Sequence, residues 1–197
     1  MPDDPTLAFY ADHAATYVEH GADRALHPQL AAFMAALTPG ATVLELGSGS
    51  GRDAAAMLAG GFDIHPSDAS PQLAAQAEQR LGRPVRIMRF DELADSEAYD
   101  GVWASASLLH APVSELTGDL TRIHHALRPG GLFVASFKAG TGEGRDRFGR
   151  YYNYPDAATL LDHYRAAAPW TSLALHSVEG SGYDKKPTEW LWVTARR

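Results

Sequence analysis

Apolar residues recur along this chain with two different spacings, and each spacing predicts a different kind of element. Two helices are predicted before residue 40. The second of them begins at Pro28 and ends where Pro39 and Gly40 interrupt the helical spacing of apolar residues. The short run at residues 42–46 is apolar and β-branched, which predicts a buried strand. The first helix precedes this helix and this strand in the chain. Apolar residues three and four positions apart form one of its faces, namely Leu7, Tyr10, Ala11, Ala14, Tyr17 and Val18.

From residue 42 onward, predicted strands and helices alternate. We expect a helix that ends near Ala59, another that begins at Ser70 and Pro71, and a third that begins at Pro112 and ends before Pro129. A loop at residues 139–154 and one more helix follow. The strands are predicted at residues 62–65, 85–90, 101–105, 132–137, 171–178 and 188–195.

This order of elements predicts the fold class. Alternating strands and helices form parallel βαβ units with helices on both faces of one sheet. The last two strands have no helix between them, so we expect an antiparallel hairpin at a sheet edge. The prediction is a single doubly wound α/β domain over residues 1–197, with a helical cap at 1–39 and a core at 40–197.

Composition narrows the function classes. The chain has 197 residues, a formal net charge of −7 and no cysteine. The missing cysteines exclude disulfides, thiolate metal sites and cysteine nucleophiles. The acidic excess argues against wrapping a long polyanion, so a nucleic acid is not expected as a partner. No run approaches about 20 apolar residues, and the first residues lack a signal-peptide layout, so we expect no membrane association and a cytoplasmic location.

The strongest chemical signal is the segment V-L-E-L-G-S-G-S-G-R-D-A at residues 43–54. A strand, a glycine turn and a helix together bring a ligand against backbone N–H groups. A nicotinamide dinucleotide site would need a glycine where Arg52 stands. Glu45 at the end of the strand suits a cationic ligand instead, and Asp68 is a candidate ribose ligand.

Five segments in order make the chain resemble the small bacterial class I S-adenosylmethionine-dependent methyltransferases. They are residues 45–51, Asp68 within S-D-A-S-P, Phe90 with Asp91, residues 99–110 and residues 127–138. The resemblance implies a Rossmann-like sheet of order 3-2-1-4-5-7-6 with strand seven antiparallel. It also implies S-adenosyl-L-methionine as cofactor and S-adenosyl-L-homocysteine as product.

The resemblance also implies which residues hold the cofactor. The glycine loop would wrap its methionine end, Asp68 its ribose, and Phe90 with Asp91 its adenine. Tyr10 and Tyr17 would contact it from a lid helix, although both could instead be core residues. The full predicted set is Tyr10, Tyr17, Glu45, Gly47, Ser48, Gly49, Gly51, Arg52, Asp68, Ala69, Phe90, Asp91, Ala104 and Ser105.

For the acceptor, His110 is the leading candidate for a general base, because it lies just beyond the fourth strand. The alternative is that it only hydrogen-bonds the chain at that junction. The predicted substrate-binding residues are His110, Lys138, Arg145, Arg150 and Tyr151, with substrate loops at 139–154 and 179–187. Alternatively, the loop arginines pair with nearby acids in solvent. No histidine spacing is typical of a metal site, and none is expected.

These observations predict direct in-line methyl transfer to oxygen or nitrogen of a small molecule. Because the loop is basic, an anionic acceptor is favoured, and the protein is expected to act as a monomer or homodimer. Two alternatives stay open, a tRNA or protein methyltransferase and a non-catalytic nucleotide-binding module. Trp190 and Trp192 alternate on the last strand and are interpreted as packing residues.

Overall fold

A seven-stranded sheet forms the centre of the computed structural model, which describes residues 4–14, 16 and 26–197. The strands are β1 Thr42–Leu46, β2 Asp63–Asp68, β3 Arg86–Ile87, β4 Tyr99–Ala104, β5 Leu127–Lys138, β8 Ser172–Ser181 and β9 Pro187–Arg196, and a separate hairpin pairs β6 Gly144–Arg145 with β7 Tyr151–Tyr152. The order is β3-β2-β1-β4-β5-β9-β8. Neighbours from β3 to β5 are parallel, and β9 is antiparallel to both β5 and β8.

This topology confirms the predicted fold class and strand order. The hairpin β6–β7 adds two strands before the last pair, so predicted strands six and seven are β8 and β9. The helices of the described residues are α1 Asp4–Asp12, α2 Pro28–Ala35, α3 Arg52–Ala59, α4 Pro71–Leu81, α5 Val113–Ala126 and α6 Ala157–Ala167. Among them, none has the length and apolar character needed to cross a membrane.

Local chemistry sets the helix ends as expected. The Ser70 hydroxyl accepts a hydrogen bond from the Leu73 amide at 3.3 Å and caps α4. Gly82 then ends that helix with a φ of 62°. Asp156 caps α6 in the same way, through the Thr159 amide at 2.9 Å.

Alternate residues along the strands pack into two cores, one on each face of the sheet. Phe133 belongs to the core that contains Leu120 of α5 and Leu160 of α6. Its neighbour Val134 belongs to the other core, with Leu30 of α2 and further residues of α3. Both faces are therefore covered by helices, as a doubly wound sheet requires.

The segment around Pro129 differs from the prediction that the fifth strand begins at residue 132. Strand β5 already begins at Leu127, and its register with β4 shifts between Tyr99 and Gly101. Backbone hydrogen bonds to Arg197 explain the extension, because Gly130 N donates to Arg197 O at 2.9 Å and Arg197 N donates to Gly131 O at 3.0 Å. Gly130 has a φ of 79°, which favours glycine within this irregular stretch.

Three other boundaries also differ. The third strand is only Arg86–Ile87, because it lies at the sheet edge with both residues exposed. The strands β8 and β9 extend to Ser181 and Pro187, so the turn between them covers residues 182–186 rather than 179–187. The predicted loop at 139–154 contains the hairpin β6–β7.

Candidate functional site

A cavity of about 740 Å³ lies at the carboxyl ends of the central parallel strands. The glycine loop, α1, the ends of β4 and β5, the β6–β7 hairpin and the β8–β9 hairpin line it. Of the predicted site residues, the structure brings together Tyr10, Glu45, Gly47, Ser48, Gly49, Arg52, Ser105, His110, Lys138 and Arg150 around this cavity. Their roles stay predictions, but one cavity contains some of the cofactor candidates together with some of the substrate candidates.

The other predicted residues lie elsewhere. Gly51, Asp68, Ala69 and Ala104 are not in the cavity wall, and Phe90 and Asp91 line a second, smaller pocket. Arg145 donates to Gly149 O at 2.8 Å. The Tyr151 hydroxyl donates to Glu143 at 2.5 Å. Tyr17 lies outside the described residues.

The glycine loop folds tightly over the end of β2. Gly47 and Ser48 donate backbone hydrogen bonds to Ser67 O at 2.9 and 2.8 Å. Gly47 has a φ of 78°, and a Cβ there would stand 2.4 Å from the Ser107 Cβ. This position therefore requires glycine for two reasons, namely its positive φ and the close approach of the loop that follows β4.

Asp68 supports that loop from behind. Its carboxylate accepts hydrogen bonds from Gly49 N at 2.8 Å and from Ser70 N at 2.9 Å. Burial raises its pKa to about 6, although these backbone N–H groups lower it. Asp68 thus joins the glycine loop to the start of α4, and its contact with a ribose stays a prediction.

Glu45 places a buried carboxylate in the cavity wall. The residue is 2% exposed, and its Oε2 has no hydrogen-bond partner among the described residues. Burial, and then the nearby Asp53, raises its pKa well above the ordinary value. An unpartnered buried acceptor is costly, so this position is suited to a ligand that brings a cationic donor.

Asp53 is a cavity residue that sequence reasoning missed. Its Oδ2 accepts from Trp103 Nε1 at 3.0 Å, and its Oδ1 accepts from Arg52 at 2.9 and 3.0 Å. The sequence signal was a carboxylate in the first turn of α3, where acids favour the helix N-terminus. Because Arg52 bonds to Asp53, no cation among the described residues forms an ion pair with Glu45.

His110 is held between two protein groups. Its Nδ1 lies 2.6 Å from the Tyr151 carbonyl, which can only accept, so Nδ1 carries the proton. Its Nε2 therefore accepts from the Tyr10 hydroxyl at 2.9 Å. Burial, and then Arg150 and Lys138, lowers the pKa of His110 to about 4. The imidazole is neutral at pH 7, and a role as base stays a prediction that requires Tyr10 to leave Nε2.

Arg150 is buried at the meeting point of three segments. It is 1% exposed and forms an ion pair with Asp146 at 2.7 Å, as the alternative interpretation of the loop anticipated, but inside the protein. It also donates to Tyr10 Oη at 3.2 Å. Five rings, the aromatic cage, have centroids 4.8–5.6 Å from its guanidinium carbon: Phe9, Tyr10, Phe148, Tyr152 and Tyr183.

The sheet itself forms the cavity floor, which consists of Ser136, Lys138, Trp190 and Trp192. These residues share one face because Ser136 pairs with Trp192 and Lys138 with Trp190. His27 stacks on Trp192 with centroids 4.5 Å apart, and Trp192 Nε1 has no partner among the described residues. The two tryptophans were expected only to pack, although the alternation shared with Lys138 could have indicated the cavity.

Comparisons with known proteins agree with this geometry. A sequence profile described as "Methyltransferase domain" matches residues 44–133. The 1,6-didemethyltoxoflavin-N1-methyltransferase of Burkholderia thailandensis, solved with S-adenosylhomocysteine, is 27% identical, with a TM-score of 0.73 over 100% of this chain and 90% of that one. These similarities identify a class I S-adenosylmethionine-dependent methyltransferase domain at residues 44–133. The resemblance seen in the five sequence segments is thereby confirmed.

Two further relatives show how far the methyltransferase likeness extends. The N-methyltransferase NodS of Bradyrhizobium japonicum is 17% identical, with a TM-score of 0.72 over 99% of both chains, and so shares the fold. The Protein-L-isoaspartate O-methyltransferase of Gloeobacter violaceus is 42% identical over 71 residues, or 32% of this chain and 35% of that protein. The match thus spans about a third of that curated relative's length.

A second pocket of about 20 Å³ lies beside the main cavity of the methyltransferase, between Phe90 with Asp91 and the start of α5. Asp119 of α5 lines it and is 4% exposed. Burial, and then Asp91 and Glu115, raises the pKa of Asp119 to about 7. No group of three or more His, Asp or Glu residues in the described ranges is placed to hold a metal ion.

Asp119→Asn is expected to stabilise the methyltransferase at pH 8 and to change little at pH 4. Folded Asp119 keeps its proton up to about pH 7, whereas an unfolded aspartate loses it near pH 3.9. The stability of the native protein therefore falls as pH rises between these values, by about 1.4 kcal/mol per pH unit at most. Urea unfolding at both pH values measures the difference.

The matched control is Asp162→Asn, because that side chain is 74% exposed. It should alter the free energy of unfolding by less than about 0.5 kcal/mol at either pH. Equal effects of Asp119→Asn at pH 4 and pH 8 would contradict the raised pKa of Asp119.

Proposed function

We propose that this methyltransferase transfers the methyl group of S-adenosylmethionine directly to oxygen or nitrogen of a small molecule in the main cavity. One observation carries the proposal, namely the buried Glu45 carboxylate beside the glycine loop, whose Oε2 has no hydrogen-bond partner among the described residues. It opens on the same space as Lys138 and the aromatic floor. A cofactor site and an acceptor site are therefore joined in one cavity.

The residues present fit this cofactor. Glu45 Oε2 would accept hydrogen bonds from the ammonium of its methionine part, and the open face of the glycine loop would receive the rest of that part. By the resemblance, Asp68 would hold the ribose, and Phe90 with Asp91 the adenine. When bound, the cofactor supplies a methyl group that its sulfonium has already activated.

The protein's own contribution is then to align the acceptor and to keep water out. Tyr10, Arg150 and Tyr183 line the same cavity, and Arg150 contacts both tyrosines. Alignment of two reactants in such a site can lower a barrier by about 7–11 kcal/mol in ideal models. Chemical activation of the acceptor is therefore a smaller part of the task than its orientation.

The relatives support a small acceptor with a nitrogen or oxygen nucleophile. The neighbour from Burkholderia thailandensis acts on 1,6-didemethyltoxoflavin, a small molecule, and is similar over this whole chain. The relative from Gloeobacter violaceus is named for a protein substrate, but the match covers only 35% of that protein. The longer likeness therefore favours a small molecule over a protein.

A labelling screen tests this function. The protein is incubated with methyl-labelled S-adenosylmethionine and with fractions containing small metabolites, tRNA or proteins, and the products are identified by mass spectrometry. We expect a labelled small molecule. Label in tRNA or protein alone would contradict the acceptor class, and no transfer to any fraction would contradict the activity.

Asp68→Ala is expected to weaken S-adenosylmethionine binding by about 10–100-fold, since hydrogen bonds to a charged group contribute about 1.5–3 kcal/mol. The change removes the carboxylate proposed to hold the ribose, and it also releases the Gly49 amide. Titration calorimetry measures the affinity. Asp63→Ala, an exposed acid on the same strand, serves as the control, and an unchanged affinity of Asp68→Ala would remove the ribose assignment.

A further inference from the structure

We infer that the methyl acceptor is a flat, conjugated molecule that binds as its anion, with the Lys138 ammonium as its counter-ion. This inference rests on the proposed function and names the substrate class for the same cavity. It depends on the position of Lys138, on the shape of the floor around it, and on the way His110 is occupied.

Lys138 offers the cavity an ammonium that forms no direct ion pair with any described residue. It is the last residue of β5, and its Nζ lies 4.2 Å from the Tyr152 ring centroid and 5.9 Å from that of Trp190. No described residue accepts a hydrogen bond from it or forms an ion pair with it. An ammonium has three donors, so a ligand is left to satisfy them.

The charges around Lys138 favour an anion. Arg150 faces it from the β6–β7 hairpin and is already paired with Asp146. Asp184 faces it from the turn after β8. Burial, and then Arg150, lowers the pKa of Lys138, although Asp184 and Asp146 act in the opposite direction. An anion bound to Lys138 from the cavity would offset both the cost of its burial and the repulsion by Arg150.

The floor selects a flat shape. Trp190 lies across Gly180, where a Cβ would stand only 3.1 Å from its Cδ1, so glycine lets the indole lie close to β8. The Tyr152 ring also packs against Lys138. The Lys138 ammonium is one hydrogen-bond donor to the cavity. Trp192 Nε1–H is another, and it has no partner among the described residues. Two donors beside aromatic rings suit a planar molecule with several acceptor atoms.

The hydrogen bonds of His110 explain why the acceptor should bind as an anion. Both of its nitrogens are engaged, by Tyr10 and by the Tyr151 carbonyl, so neither is free for an acceptor proton. An acceptor that has lost its proton to water needs no base. Its lone pair forms the bond to the methyl carbon as the carbon–sulfur bond breaks, and the anionic and sulfonium charges cancel. The neutral product no longer pairs with Lys138, which favours its release.

A pair of optical probes tests this inference. The chromophore of para-nitrophenol reports its own ionisation, and para-nitroanisole has nearly the same shape without an ionisable group. We expect the protein, with or without S-adenosylhomocysteine, to lower the pKa of bound para-nitrophenol by about one to three pH units. In Lys138→Met this shift should disappear, and phenolate binding should weaken at least about tenfold while para-nitroanisole binding is unchanged.

Two further variants keep the test sharp. Lys138→Arg retains the charge and should retain most of the shift. Lys186→Met, in the exposed part of the β8–β9 turn, should behave as the wild type. Unchanged phenolate binding in Lys138→Met, or binding of neither probe to the wild type, would overturn the inference. Failure of S-adenosylhomocysteine to bind would instead overturn the proposed function, because the probe titration is read without it as well.

Discussion

Glu45→Gln is expected to stabilise the free methyltransferase while weakening S-adenosylmethionine binding by about 10–100-fold. In the free protein the buried carboxylate lies near Asp53, and its Oε2 has no hydrogen-bond partner in the part of the chain that the structure describes. Glutamine removes the charge, so the burial cost disappears. The bound ammonium would lose a charged hydrogen-bond acceptor at the same time. Urea unfolding and titration calorimetry on the same preparation measure both effects.

The gain in stability should also depend on pH. Folded Glu45 holds its proton to a higher pH than an unfolded glutamate, because burial raises its pKa. The native protein therefore loses stability as pH rises above about 4.3, the ordinary value. Glu45→Gln should match the wild type near pH 4 and exceed it at pH 8. Glu179→Gln, an exposed acid at the cavity rim, is the control. A destabilised Glu45→Gln with normal affinity would contradict this role.

Arg150→Met is expected to detach the parts of the chain that close the cavity. Arg150 connects α1 through Tyr10, the β6–β7 hairpin through Asp146 and the β8–β9 hairpin through Tyr183. Loss of one partner of a buried ion pair costs about 3–5 kcal/mol. We expect this loss mainly as faster hydrogen exchange of the α1 amides, since the sheet does not depend on Arg150.

The comparison is with Arg165→Met, whose ion pair with Asp162 is exposed. Exposed pairs contribute about 0–1 kcal/mol, so exchange in α1 should not change. If Arg150→Met left α1 as protected as in the wild type, the aromatic cage would not be what holds it. A second variant, Asp146→Asn, should show a smaller loss in the same amides, because Arg150 would keep its contacts with the rings.

The core of the fold could be predicted because its signals are local. The buried strand β1, the glycine loop and the start of α3 are consecutive in the chain, and each has its own sequence pattern. The final hairpin followed from the lack of a helix between its strands. The ends of the strands were less predictable. Strand β3 pairs with β2 through only two residues, and β5 is extended by hydrogen bonds to the distant Arg197.

The cavity walls were harder to predict for a physical reason. Tyr10 meets His110, and Trp192 meets His27, over long separations in the chain. The spacing of residues within one segment does not predict which loops come together above a sheet. Arg150 was a candidate from its charge, but its aromatic cage draws rings from three separate segments. The sequence did not indicate that Asp119 is buried, because a single acidic residue on an apolar helix face forms no repeating pattern.

If the glycine loop and Glu45 form a site for S-adenosylmethionine, titration calorimetry with S-adenosylmethionine, S-adenosylhomocysteine and NAD will show it. We expect saturable binding of the first two at one site per chain and no detectable binding of NAD. We also expect Glu45→Gln to weaken the binding of both. Binding of NAD in preference to S-adenosylmethionine, or no binding of S-adenosylmethionine, would contradict this assignment.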